Sequence, residues 1–230
     1  MLEHLLGLEL RRRLQLRHAR PGPLHDYLSQ PFTNARADYR RVEFVALDLE
    51  TTGLDPVRGS IVSVGLVRLQ AERIDLATAL HWLLRQDAAM PESAAVIHKI
   101  TDDRAELGLP LEEVLPEVLA TLQGRVMIAH HASLELGFLD TACKRFYGAG
   151  FLVPTIDTEV LVRRWLDQRN QNYGPGDLRL QALRRRYGLP AHRAHDALSD
   201  AVAAAELFIA HLAHRKPDPR APLKQFLTPL

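Results

Sequence analysis

The sequence predicts an α/β fold, a mixed five-stranded sheet with helices on both faces. Two observations predict it. Strand-like segments come first, joined by short connections, as in antiparallel hairpins. Strands and helices then alternate, which builds parallel pairs with crossover helices. A chain of 230 residues holds one full core plus tails, and an apolar content of 47% places it among folded globular proteins.

The elements follow in order. Residues 1 to about 20 read as a helix, with Leu2, Leu6, Leu10 and Leu14 four apart and Arg11, Arg12, Arg13 and Arg17 alongside. It either packs on the outside of the domain or serves as a docking or nucleic-acid-binding arm. Pro21-Gly22-Pro23 ends it, and residues 23–41 read as an irregular connection. Strands are expected over 42–49, 60–70 and 77–85, then a short helix from Pro91 that carries His98. An amphipathic helix over 111–123 leads to a strand over 125–130 and a helix over 134–147. A short strand over 154–157 and a helix over 158–169 come next. The Gly174-Pro175-Gly176 loop leads to a helix over 178–187, Gly188-Leu189-Pro190 stops it, and the last helix spans 196–214. The tail 215–230, with Pro217, Pro219, Pro222 and Pro229, reads as mobile or as a linker. The expected organisation is an arm over 1–41, the main domain over 42–214 and a proline-rich tail.

Composition excludes several classes. No apolar run is long enough to cross a bilayer. The first residues do not read as a signal peptide, because leucines precede the arginines and Glu3 and Glu9 interrupt them. The single cysteine, Cys143, rules out an internal disulfide and a cysteine zinc cage. Cytoplasmic residence fits these features. A net charge of +1 decides nothing, since a nucleic-acid enzyme needs only a local basic surface.

The chemistry concentrates in Val45-Ala46-Leu47-Asp48-Leu49-Glu50-Thr51-Thr52-Gly53. Side chains alternate along a strand, so Asp48 and Glu50 point one way while Leu47 and Leu49 point into a core. Two acids side by side on an apolar strand are costly unless a cation sits between them, and hard divalent cations take carboxylate oxygens. Solvated acids on an edge strand are the bland alternative, and so apolar a strand argues against it. Two further segments carry acids. One is His195-Asp196-Ala197-Leu198-Ser199-Asp200, running into an alanine-rich helix. The other is His130-His131-Ala132-Ser133-Leu134-Glu135, after a short strand.

Together these motifs resemble the DEDDh 3′→5′ exonuclease superfamily, and within it the epsilon-type proofreading subunit of bacterial DNA polymerase III. The resemblance covers roughly Val42 to Ala213. The first and last motifs match closely. The middle motif departs from the family's His-Asn-Ala-x-Phe-Asp: His131 replaces the asparagine, Leu134 the phenylalanine and Glu135 the aspartate. The resemblance implies a ribonuclease H-like fold and two divalent metal ions, Mg²⁺ or Mn²⁺, held by Asp48, Glu50, Glu135 and Asp200. It implies His195 as general base, on the loop just before the last helix. Thr51, Thr52 and Leu54 are expected to hold the terminal sugar, His98 to meet the terminal base, and Lys99 beside it to add a phosphate contact. His131 is a further candidate nucleotide contact. His130 is expected to pack behind the site, and Asp157 to cap a helix rather than bind metal.

The expected activity is metal-dependent 3′→5′ removal of nucleoside 5′-monophosphates from single-stranded or frayed DNA, with a DNA polymerase subunit as a candidate partner. Two alternatives stand beside it. One is a nucleic-acid-binding or polymerase-associated module with a degenerate site, motivated by Glu135. The other is an RNA-processing exonuclease of the same chemistry, since fold and family do not fix the sugar.

Overall fold

The computed structural model describes residues 7–86, 108–218 and 220–229. Its centre is a five-stranded sheet in the order β3-β2-β1-β4-β5. Strand β1 (Glu43–Thr51) pairs antiparallel with β2 (Ile61–Gln70), which pairs antiparallel with β3 (Arg73–Leu83). On its other side β1 pairs parallel with β4 (Val126–Ala129), and β4 with β5 (Thr155–Asp157). The helices are α1 (Leu8–His18), α2 (Pro23–Ser29), α3 (Leu111–Leu122), α4 (Ser133–Tyr147), α5 (Thr158–Gln168), α6 (Leu180–Arg186) and α7 (Ala197–Arg215). The expected mixed sheet with helices on both faces is what the chain forms.

Alternation along β1 assigns the two faces. Val45, Leu47 and Leu49 enter a core with Leu115 and Leu119 of α3 and Phe138 and Leu139 of α4. Phe44 and Ala46 enter a second core with Ala201, Ala205 and Phe208 of α7. By the same parity Asp48 and Glu50 continue the Phe44–Ala46 stripe and face α7. The β1–β4 register ends at Ala46 and Ile128, so the acidic half of β1 runs beyond that pairing. Such crevices at the carboxyl ends of strands are where open α/β sheets bind ligands.

Glycine 65 sets how closely α7 approaches. It lies opposite Asp48 in the β1–β2 register, and a Cβ there would collide with the backbone of Ala197 and Leu198. The first turn of α7 can therefore rest on the sheet beside Asp48.

Several expectations are corrected. Residues 23–41 are not wholly irregular: Pro23 opens α2 at a position where proline suits a helix start, and Tyr39–Arg41 form a 3₁₀ turn. The third strand begins earlier than expected, at Arg73, directly after a tight turn at Ala71 and Glu72. Of the expected leucine stripe, Leu2 and Leu6 lie outside the described residues, and Leu10 does not face inward. Leu10 is 47% exposed, whereas Arg12 is buried, its guanidinium bonded to the Leu28 carbonyl and to Glu9. The tail is packed rather than loose. Ala221, Leu223 and Phe226 belong to the second core, and Thr228 bonds Thr155 and Asp157 along the outer edge of β5. The expected helix after Pro91, with His98 and Lys99, lies outside the described residues. No described helix is long and apolar enough to cross a membrane.

Candidate active site

Asp48 and Glu50 from β1 meet Asp200 from the first turn of α7, each offering a carboxylate oxygen within 4.8 Å of the others. Asp200 reaches them because Asp196 starts the helix, its side chain accepting from the Ser199 amide. Burial pushes the Asp48 carboxyl well above its usual range, and the charges of Glu135, Asp200 and Glu50 push it further. A cation removes that repulsion.

Glu135 lies on the first turn of α4 and is 2% exposed. Its carboxyl is pushed up to about 8, first by burial and further by the charges of Asp157 and Glu50, while the amides of Glu135 itself and Leu49 oppose the shift. Its Oε2 is buried with no hydrogen-bond partner among the described residues. An orphaned carboxylate oxygen beside three crowded acids fits the donor set of a hard divalent cation.

His195 stands on the loop before α7, as expected, exposed and with a positive φ of 62°. Its backbone amide donates to Asp200 Oδ2 at 2.8 Å. His192, which is not among the residues expected at the site, has its Nε2 2.7 Å from Asp200 Oδ1. No periodicity marks His192, because it sits on an irregular loop.

Asp157 caps α5 as expected, accepting from the amides of Glu159 and Val160. It does more than that, since the amides of His131 and Ala132 also donate to it, at 3.2 and 2.9 Å. It thereby ties the middle motif to β5 just ahead of Glu135. His130 packs inward, its Nδ1 2.8 Å from the Thr158 hydroxyl, and burial lowers its pKa. His131 is exposed at φ 66°, with Nδ1 3.1 Å from Glu159.

The turn after β1 is fastened by its threonines. The Thr51 hydroxyl donates to the Gly53 carbonyl at 2.7 Å, and the Thr52 hydroxyl accepts from the Ser60 amide at 2.9 Å. Leu54 stands out of this turn at 85% exposure.

Sheet, cluster and motif order define a class, and comparison with known proteins agrees. Residues 45–208 match the family described as exonuclease (RNase T), and the chain belongs to that family. It is 32% identical over 173 residues to a PolC-type DNA polymerase III of Thermotoga petrophila, covering 75% of this chain and 12% of that protein. It is 29% identical over 178 residues to the DNA polymerase III epsilon subunit of Treponema pallidum, covering 77% of this chain and 80% of the relative. The chain thus spans a small part of the PolC-type relatives and most of the epsilon one. Among solved structures, exonuclease X in complex with 5′-overhanging duplex DNA superposes with a TM-score of 0.60 at 23% identity, over 80% of this chain and 99% of that one. Exonuclease I superposes with a TM-score of 0.66 at 16% identity, over 75% of this chain and 41% of that one. These likenesses carry the ribonuclease H-like fold, and the relatives agree with the epsilon-type resemblance of the motifs.

Proposed function

We propose that this chain is a metal-dependent 3′→5′ exonuclease that releases nucleoside 5′-monophosphates from single-stranded or frayed DNA ends. One observation carries the reading: acids from two distant segments, Asp48–Glu50 and Asp200, converge within 4.8 Å. Glu50 is buried and Asp48 and Asp200 are half-buried, and such crowding of like charge is costly to a fold unless a cation offsets it.

Asp48, Glu50 and Asp200 would hold the first of two ions, with Asp48 shared and Glu135 serving the second through its orphaned oxygen. Bound divalent cations supply Lewis-acid stabilisation of the attacking and leaving oxygens and lower the pKa of water. The remaining work falls to the protein. His195, exposed and with its backbone amide on Asp200, takes the proton from the attacking water, a role that imidazole side chains commonly fill. The Thr51–Thr52 turn positions the terminal sugar, and exposed Leu54 offers an apolar surface to the last base. His131 and, by resemblance, His98 and Lys99 are further nucleotide contacts. The burial of Glu135 and its unpartnered Oε2 favour a working ligand over a degenerate site.

The partners of this reading are 3′ ends of single-stranded DNA, or of RNA by the same chemistry, and a polymerase subunit. The test is incubation of labelled single-stranded DNA and RNA of equal length with Mg²⁺, Mn²⁺ or chelator. Metal-dependent hydrolysis that disappears in Asp48→Ala is expected. Full activity in excess chelator, or in that variant, would refute the reading.

A further inference from the structure

We propose that His192 is a positioning residue that holds the carboxylate of Asp200 in place for the metal; the inference rests on the reading of Asp200 as a ligand. The His192 ring lies between its own loop and α7, with side-chain exposures of 10% for His192 and 13% for Asp200. Its Nε2 is 2.7 Å from Asp200 Oδ1, while the His195 amide is 2.8 Å from Oδ2. An ionised carboxylate only accepts, so Nε2 carries the hydrogen in this contact. Both oxygens of Asp200 are thus held by donors from a single loop, and each keeps lone-pair capacity for an ion.

That loop is anchored from behind. Arg184 of α6 is 2% exposed, and its guanidinium donates to the Pro190 carbonyl at 2.9 Å and the Ala203 carbonyl at 3.0 Å, while pairing with Glu206 at 2.7 Å. Pro190, where the loop starts, is therefore fixed to the middle of α7, and His192 closes the same loop onto the first turn of that helix. A carboxylate swinging freely at a helix start would lose rotamer freedom on binding an ion. With His192 in place that ordering is already done. Polar groups bonded behind metal ligands typically contribute about 10–100-fold in metal affinity.

The test uses two variants of the full chain. His192→Phe keeps the ring volume and removes the donor; His192→Gln places an amide nitrogen where Nε2 was. Mn²⁺ binding is followed by electron paramagnetic resonance, without substrate, and circular dichroism reports the fold. Mn²⁺ affinity should fall on the order of 10-fold in His192→Phe and stay within about 3-fold of the parent in His192→Gln, with the KM for oligonucleotide unchanged in both. Unaltered Mn²⁺ binding in His192→Phe would overturn the inference. So would equal weakening in both variants, which would mean that the imidazole ligates the ion itself. Because the readout is binding, an inactive parent that still binds Mn²⁺ would sink the nuclease reading and leave this one standing.

Discussion

Glu135 carries the most distinctive residue-level consequence. Its carboxyl titrates at about 8 in the fold against an ordinary 4.5, chiefly through burial. Between those values the metal-free folded chain holds a proton that the unfolded chain has released, so stability falls as pH rises through this window. Glu135→Gln removes the effect. In chelator it should melt higher than the parent at pH 8, by roughly 3 °C for each kcal/mol relieved, and with no gain at pH 4.5. Parallel melting curves for the two proteins at both pH values would contradict this. His195→Ala should lower turnover about 10²–10⁴-fold while Mn²⁺ binding stays unchanged; loss of Mn²⁺ binding would make His195 a ligand instead. Asp48 and Glu50 were legible in the sequence because the strand period of two puts them on one side, and Asp200 because the His195–Asp200 segment matches the last motif of the family it resembles. His192 was not legible, since no period governs an irregular loop. The second role of Asp157 was hidden too: the sequence shows a helix cap, whereas its bonds to His131 and Ala132 exist only through the fold.

At the scale of elements, the site depends on how closely α7 meets β1 and β2. Gly65 lies under the first turn of α7, opposite Asp48. Gly65→Ala should lift that turn and separate Asp200 from Asp48. Mn²⁺ binding and hydrolysis should both collapse while β-sheet circular dichroism persists; normal Mn²⁺ affinity would show that the close approach is dispensable. The tail provides a second check. Phe226 is fully buried, 4.9 Å from the Tyr39 ring and 6.2 Å from that of Phe208. Phe226→Ala should cost about 3–5 kcal/mol, measured by urea unfolding; a loss under about 1 kcal/mol would make the tail peripheral. Proline content alone made this segment read as a linker, yet the few apolar residues between the prolines decide its packing. Pro21-Gly22-Pro23 misled in the same way: it ends α1, but Pro23 also begins α2. In α1, Arg12 is buried alongside Leu16, which packs on the first core, because Glu9 and the Leu28 carbonyl satisfy the guanidinium.

At the scale of the whole molecule, the acidic cluster lies on β1 and the first turn of α7, and the proposed activity is on strand ends rather than strand interiors. Thr51 and Thr52 fasten the turn immediately beyond the acids and Leu54 projects from it; in the proposed reading this turn receives a terminal nucleotide. Affinity for the rest of the strand should come largely from phosphate contacts and weaken with salt. A 3′-phosphate should slow the reaction, because it adds negative charge where the acids and the threonine turn receive the end. The most direct measurement is a time course with Mn²⁺ on linear 5′-labelled single-stranded DNA beside circular single-stranded DNA. The expected result is a ladder that shortens stepwise from the 3′ end, with 5′-monophosphates as products and an intact circle. Cutting of the circle would show an endonuclease and contradict it.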